Sequence, residues 1–299
     1  MFNLIQLSVL AAVGRHGSVT EAAKELHYSQ PSVSHHLARL EAAAGVKLVQ
    51  RVGRGIRLTP EGQLLAHRAA EIVGRVDAAS SELAAQVGLQ SGRVRLAANA
   101  SALSTIVPKA VDALAQAYPG IELSLIDRHP VESLQLLRHG EVDVAVVFRY
   151  ANAPAESGEF RLVQLGDDPI HLISRQGDDS LANHRESSWI GGCDRCVAEL
   201  LAVCRSADFD PRIGSHSDDI VVVQALVAAG LGVALLPGLA LQAHRRPDVH
   251  ATELVGLRRQ IQAATYGEPP DPPAVAAVLD ALGAASALQE VGGPPDHVS

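Results

Sequence analysis

The sequence predicts an α/β protein: an all-helical winged helix–turn–helix at the N-terminus, then a domain of two Rossmann-like α/β lobes. Three observations predict it. Two capped helix starts, at Ser18 and Ser29, lie close together near the N-terminus. An apolar seam then repeats at alternating spacings of four and three through residues 65–83. From Arg93 onward, short β-rich runs alternate with helical ones, the pattern of a parallel sheet covered on both faces. The boundaries read as 1–58 for the winged domain, 59–88 for a linker helix and 89–299 for the α/β domain. Within the last, lobe I takes about 93–162 and 267–291, and lobe II about 163–266.

The first seventeen residues, MFNLIQLSVLAAVGRHG, have no basic leader and no cleavage pattern, and read as an amphipathic first helix. Ser18 and Glu21 form S-x-x-E, a capping box that satisfies orphan amides at the start of the second helix. Ala22, Ala23 and Leu26 face inward there, small enough to let two helices approach. His27 and Tyr28 fill the turn. Ser29 caps the third helix, and Pro31 sits in its first turn, where a missing N–H does no harm. Val33, Leu37 and Leu40 repeat at i, i+4 and i+7 as the buried stripe. The opposite face carries Pro31, Ser32, His35, Ala38 and Arg39, groups that suit base edges in a major groove. The competing reading is a helical hairpin with a solvated polar face.

Residues 48–58, LVQRVGRGIRL, alternate around Gly53 and Gly55 as a short hairpin carrying Arg51, Arg54 and Arg57 and no acid. Residues 1–58 hold seven Lys/Arg and three acids, about +4. About −12 is left for the remainder of a chain whose formal charge is −8. Positive charge gathered at one end is the asymmetry expected when only that end meets nucleic acid. Thr59-Pro60-Glu61 is a helix start, and the helix it opens, to residue 87 or 88, is about 43 Å long. Its seam of Leu65, Ala69, Ile72, Val76, Ala79 and Leu83 predicts pairing with a second copy, the alternative being packing against its own chain.

Strands are predicted at 94–98, 121–126 and 142–148, with helices at 106–117 and 131–138 between them. Residues 162–165 and 170–174 read as extended crossings into the second lobe. Helices near 196–206 and 218–229 and a strand at 233–236 belong to that lobe. A strand at 261–266 returns, and a helix at 273–289 closes lobe I. Two lobes joined by two crossings make a cleft in which small ligands sit. The last eight residues, GGPPDHVS, are expected to be disordered.

Composition narrows the function classes. With 47% hydrophobic and 19% charged residues among 299, the chain is globular, and its core rests on Ala, Val and Leu because aromatics make up only 3%. The strongest membrane candidate, residues 220–241, is broken by Gln224, Gly230, Gly232 and Pro237; helix, turn and buried strand explain it more simply. The expectation is a cytoplasmic protein with no membrane partner. No G-x-S-x-G, phosphate loop or H-E-x-x-H occurs, so no catalytic residue, cofactor or metal ligand is predicted and the chain is not expected to be an enzyme. Cys193-x-x-Cys196 suggests zinc or redox chemistry, but tetrahedral zinc needs four ligands and no partner pair follows at usable spacing, His216 standing isolated twelve residues beyond Cys204. Cys196 and Cys204 stand eight apart on one predicted helix and meet only if it unfolds locally. Cysteines that merely pack are the alternative.

Over nearly its whole length the chain resembles the LysR-type transcriptional regulators. The N-terminal resemblance rests on Gly17-Ser18-Val19-Thr20-x-Ala22-Ala23, Leu26, Ser29-Gln30-Pro31-Ser32-Val33-Ser34, Leu40-Glu41, Gly45, Leu48, Arg51 and Leu58-Thr59-x-x-Gly62. The C-terminal resemblance rests on residues 226–233, LVAAGLGV, through Leu236-Pro237. It implies a winged helix–turn–helix, a dimerising linker helix, and an effector domain built like a periplasmic solute-binding protein. It also implies homodimers, paired into homotetramers, that bind an interrupted inverted repeat in double-stranded promoter DNA and change its bending when a small molecule fills the cleft. Carried over by position, the DNA-reading residues are Gln30, Pro31, Ser32, Ser34, His35 and His36, with Arg51, Arg54 and Arg57 from the wing. The family often has Arg and Gln where His35 and His36 stand, which implies a pH-sensitive contact. The effector positions are Ser101, Ala102, His129, Phe148, Arg149, Gly191, Ser217 and Pro237. Pro130 replaces a second hydroxyl that the family carries, Arg149 is expected to hold a carboxylate, and Asp218 and Asp219 disfavour a strongly anionic ligand at that end. The expected effector is a small organic acid or amino-acid-like molecule. Peroxide-sensing relatives keep two cysteines in the region of Cys193–Cys204, which implies a redox-sensing regulator as an alternative. A transporter's solute-binding protein and an architectural DNA binder are the competing classes. The first lacks a winged helix and the second lacks a two-lobed cleft.

Overall fold

The computed structural model describes residues 2–52, 55–86, 92–153, 159–177, 180–267 and 269–290. The wing residue Arg54 and the C-terminal residues 292–299 lie outside them. The chain divides into two compact units: residues 1–89 with 135–142, and residues 90–134 with 143–299.

In the first unit α1 (Leu4–His16) opens on a reciprocal capping box between Asn3 and Gln6 and stops at Gly17, whose left-handed φ of 60° closes the helix. α2 (Val19–Glu25) follows, with the Ser18 hydroxyl accepting from the Glu21 amide. The predicted box there is only half formed, because the Glu21 carboxylate binds Lys24 instead. α3 (Gln30–Ala44) starts on Ser29, which accepts from the Ser32 amide, and ends at Gly45. β1 (Val49–Val52) and β2 (Gly55–Leu58) pair antiparallel as the wing. α4 (Pro60–Gln86) begins where Thr59 accepts from the Gly62 amide. Leu7, Leu10, Val33, Leu37, Leu40 and Leu48 fill the core, with Ala22 and Ala23 at the close helix contacts.

The α4 seam is divided. Leu65 and Ala69 turn inward onto the core built by α1 and α3, Ala69 being fully buried. Ile72, Val76, Ala79 and Leu83, together with Leu64, stay exposed. The first two seam positions therefore pack against their own chain, because α1 is close enough to cover that end of the stripe.

The second unit is built on a six-stranded sheet. In chain order the elements after α4 are β3 (Gly92–Ala98), α5 (Ala100–Leu103), α6 (Ile106–Ala117), β4 (Ile121–Asp127), α7 (Pro130–Arg138, whose second half counts with the first unit), β5 (Val144–Tyr150), β6 (Phe160–Ser174) and β7 (Ser188–Gly191). Then come α8 (Asp194–Ser206), β8 (Arg212–His216), α9 (Ile220–Ala228), β9 (Ala234–Pro237), α10 (Gly238–Ala243), β10 (His250–Tyr266) and α11 (Pro273–Glu290). The strand order is β4-β3-β5-β10-β6-β9. β3 runs parallel to β4 and β5, while β10 is antiparallel to β5 and β6. β7 and β8 form a small parallel pair, tied to the β9 approach by a bridge from Trp189 to Val233. Lobe I packs Leu96, Val146, Ile106 and Leu282 between sheet and helices. Lobe II packs Ile173, Ile190, Val223 and Val227 around one centre and the fully buried Trp189 around another.

Two expectations needed correction. The crossings predicted at 162–165 and 170–174 are one continuous strand, β6, of 15 residues. Gly166 and Pro169 look like breaks in sequence, but Pro169 sits where the β10 ladder is itself bulged, between Glu253 and Arg258, so its missing N–H costs little. The return strand starts at His250 rather than 261, because its first half is polar and half-exposed and lacks a β-like run.

Candidate functional site

The first unit presents one polar helix face. On α3, Gln30, Pro31, Ser34, His35, Ala38 and Arg39 are exposed, while Ser32 and His36 are half-buried. Gln30 Nε2 donates to Ser34 Oγ at 3.4 Å, one turn along, and the Tyr28 ring lies 6.0 Å from that of His36. The wing register puts Arg51 opposite Ile56 and Arg57 opposite Gln50, so the two exposed arginines stand on opposite faces of the hairpin.

The electrostatics of this unit follow from where its acids go. Glu21 is bound by Lys24, Glu25 by Arg15 and His16, and Glu41 by Lys47. Arg39, Arg51 and Arg57 take part in none of the ion pairs among the described residues. Within residues 1–58 the excess charge therefore sits on α3 and the wing. Glu41 also fixes the wing's root. Its carboxylate, nearly buried, accepts the Leu48 and Val49 amides at 3.0 and 3.2 Å and Lys47 Nζ at 2.6 Å. Burial pushes this carboxyl up, but the lysine and the two amides outweigh it and hold its pKa below the ordinary range. Gly62 completes the junction, since a Cβ there would lie 1.9 Å from the Leu48 carbonyl oxygen.

In the second unit the C-terminal ends of β3 and β5 meet β6, β10 and the start of α8. Ser101 and Ala102, on the short helix after β3, are buried, with the Ala102 amide donating to Asn99. Ser101 Oγ accepts from Arg259 Nη2 at 2.8 Å. That guanidinium is 3% exposed and bound to Asp168, itself 2% exposed, at 2.8 Å. It lies over the Phe148 ring, 4.4 Å from its centroid. Asp168 accepts the Leu239 amide with its other oxygen, beside Pro237 at the start of α10. Phe148 meets Tyr150 edge to face, and the Tyr150 hydroxyl donates to Cys196 Sγ at 3.9 Å. Across from these, the Ser217 amide donates to the Gly191 carbonyl, and His129 Nε2 stands 3.3 Å from Asp218.

The structure thus places Ser101 and Phe148 on a buried cation, with Ala102 next to Ser101 in the chain and Pro237 at the start of α10, whose Leu239 amide binds the cation's partner Asp168; His129, Gly191 and Ser217 lie around the start of α8 and the approach to α9. It does not bring Arg149 to the cation. Successive side chains of a strand point to opposite faces, and Arg149 hydrogen-bonds Gln260 at 2.9 Å on the neighbouring strand. Sequence reasoning missed Arg259, Asp168 and Tyr150. The available signal was an Asp directly before a strand proline and an Arg pair in the strand before Ile261. Ser104 Oγ donates to the Ala100 carbonyl and Thr105 Oγ1 to that of Ser101, so Thr105 precedes α6 without a side-chain cap. Among the described residues no cluster of three or more His, Cys, Asp or Glu is placed to hold a metal ion, and no helix is long and apolar enough to cross a membrane.

Comparison with known proteins follows this division. Residues 4–63 match the bacterial regulatory helix-turn-helix protein, lysR family, and residues 88–287 match the LysR substrate binding domain. The chain is 30% identical over 286 residues to the HTH-type transcriptional regulator TfdS of Cupriavidus pinatubonensis, covering 92% of this chain and 96% of that protein. It is 27% identical over 257 residues to the DNA-binding transcriptional dual regulator OxyR of Escherichia coli, 82% of each. Among solved structures, a full-length OxyR variant from Pseudomonas aeruginosa aligns with a TM-score of 0.74 at 19% identity, over 94% of this chain and 95% of that one. CbnR, a LysR family transcriptional regulator, aligns with a TM-score of 0.66 at 22% identity, over 95% of this chain and 99% of that one. At these identities the structures speak to the shared fold.

Proposed function

The chain belongs to the LysR family of bacterial helix–turn–helix transcriptional regulators, and from that premise we propose how it reads DNA and what it senses. Its partner is double-stranded promoter DNA. The reading residues are Gln30, Pro31, Ser34 and His35 on the exposed face of α3, with Ser32 and His36 at its margin and Arg51, Arg54 and Arg57 on phosphates. Gln30 is suited to adenine and the Pro31 ring to a thymine methyl. Two copies joined through Ile72, Val76, Ala79 and Leu83 present two reading helices to one site, and such dimers pair further into tetramers. The regulator acts in the bacterial cytoplasm and is not a catalyst.

The observation that carries this reading is the charge pattern of residues 1–58: their three acids are bound by basic side chains, and Arg39, Arg51 and Arg57 take part in none of the ion pairs among the described residues. The proposed effector sits against Ser101, Ala102, His129, Phe148, Gly191, Ser217 and Pro237. Asp168 already compensates the buried Arg259 guanidinium, and Asp218 stands opposite. A small organic acid with further polar groups, or an amino-acid-like molecule, fits that balance better than a polyanion. The test is His35→Ala against promoter fragments selected from random DNA by the unaltered protein. The variant is expected to lose about 1–3 kcal/mol of discrimination at one base pair. Unchanged affinity and unchanged base preference would overturn the placement of α3 in the groove.

A further inference from the structure

Three cysteines are present, all as free thiols, and two are in contact. Cys193 is the residue immediately before α8, and Cys196 lies on its first turn. Their sulfurs are 2.9 Å apart, about 0.9 Å beyond a disulfide bond. Both are half-buried at the edge of the sheet's core, whereas Cys204 is buried. Gly192 keeps this turn tight: a Cβ there would lie 3.2 Å from that of Cys196. Tyr150 from β5 bonds Cys196, and His129 and Asp218 face Cys193 from the segments before α7 and α9.

We propose that Cys193 and Cys196 form a thiol–disulfide exchange site that reacts with small soluble disulfides and closes to an intramolecular Cys193–Cys196 disulfide. The two sulfurs have separate parts. The Cys196 thiol donates to Cys193 and, against the effect of burial, holds the Cys193 thiol down at about 6, so at neutral pH Cys193 is the thiolate. It attacks one sulfur of R–S–S–R, the S–S bond breaks, and one RS⁻ leaves with the electron pair. Cys196 then releases its proton and attacks Cys193 Sγ in the mixed disulfide, expelling the second RS⁻. Two protein thiols are oxidised by two electrons, and one small disulfide is reduced to two thiols that carry the two protons.

The site stands on its own geometry and does not depend on how the chain reads DNA. The experiment uses the full chain, fully reduced and desalted, then treated with oxidised glutathione and quenched in acid with a thiol alkylator for peptide mapping. Titratable thiols are expected to fall from three to one, with Cys193 and Cys196 in one cross-linked peptide and Cys204 alkylated. Cys196→Ser is expected to stop at the mixed disulfide and carry one glutathione on Cys193. Cys193→Ser is expected to react at least about tenfold more slowly, having lost the thiolate. The thiol count of the unaltered protein and the Cys196→Ser adduct carry the test even if Cys193→Ser folds poorly. Three thiols persisting, loss confined to Cys204, or oxidation of Cys193 by hydrogen peroxide but not by glutathione disulfide would each overturn the proposal. DNA retention measured on the same samples keeps a failure here separate from a failure of the regulator reading.

Discussion

Replacing Asp168 by Asn tests whether the buried ion pair organises the second unit. The substitution keeps shape and keeps an oxygen for the Leu239 amide, but it removes the charge that faces Arg259 at 2.8 Å. With 3% and 2% exposure, neither side chain regains water in the folded state. The guanidinium would be left with Ser101 Oγ and the face of Phe148. Breaking a buried pair from one side costs about 3–5 kcal/mol. For the matched domain of about 200 residues, each kcal/mol moves Tm by about 2–4 °C, so a fall of about 6–20 °C is expected. The assay is a thermal melt followed by circular dichroism, with calorimetry as a second probe. Arg259→Met in the Asp168→Asn background removes the stranded charge and should recover much of the loss, so the two substitutions are strongly non-additive. A shift under about 2 °C for Asp168→Asn, or simple additivity in the double variant, would refute the reasoning.

Two further outcomes follow from the first unit. Glu41 has a folded pKa below the ordinary glutamate value of about 4.3, so its contribution is complete above that value and disappears as pH falls through the folded pKa. Glu41→Gln should therefore lower Tm at pH 6–7, by the loss of about 1.5–3 kcal/mol, and converge with the unaltered protein as pH falls through the folded pKa; melting curves that stay parallel down through that titration would contradict it. Gly62→Ala should destabilise by about 1–3 kcal/mol or more because the new methyl meets the Leu48 carbonyl. Gly283→Ala, in the middle of α11 with nothing within 4 Å of the added carbon, should stabilise by about 1 kcal/mol; equal signs in the two melts would show that space is not what distinguishes them.

What was legible in sequence was local. The hydroxyls of Ser18, Ser29 and Thr59 mark helix starts because a cap and its amide are within three residues of each other, and each is found accepting that amide. The buried stripe of α3 was legible for the same reason. The α4 seam was half legible. Periodicity says which face is apolar but not what covers it, and α1 covers Leu65 and Ala69 while Ile72 and Val76 stay open. In the second unit, Ser101 and Phe148 were singled out through the family pattern as expectations, whereas Arg259, which contacts both, was not. It is 158 residues from Ser101 and 91 from Asp168, in a polar stretch with no strand-like run. The same blindness to facing side chains put Arg149 in the wrong company, one position from Phe148 but on the reverse of the sheet.

The unbroken run of β6 and β10, 15 and 17 residues laid side by side, has a mechanical consequence. Both lobes are threaded on one two-ply ribbon about 50 Å long, and a hydrogen-bonded ribbon resists stretching far better than it resists flexing. Relative movement of the lobes is therefore confined to soft spots in its weave. The softest is the unmatched loop between Glu253 and Arg258, where Gly256 adopts a φ of 84° and Val255 projects fully into solvent. A bound molecule that pulls the lobes together would do its work against that kink.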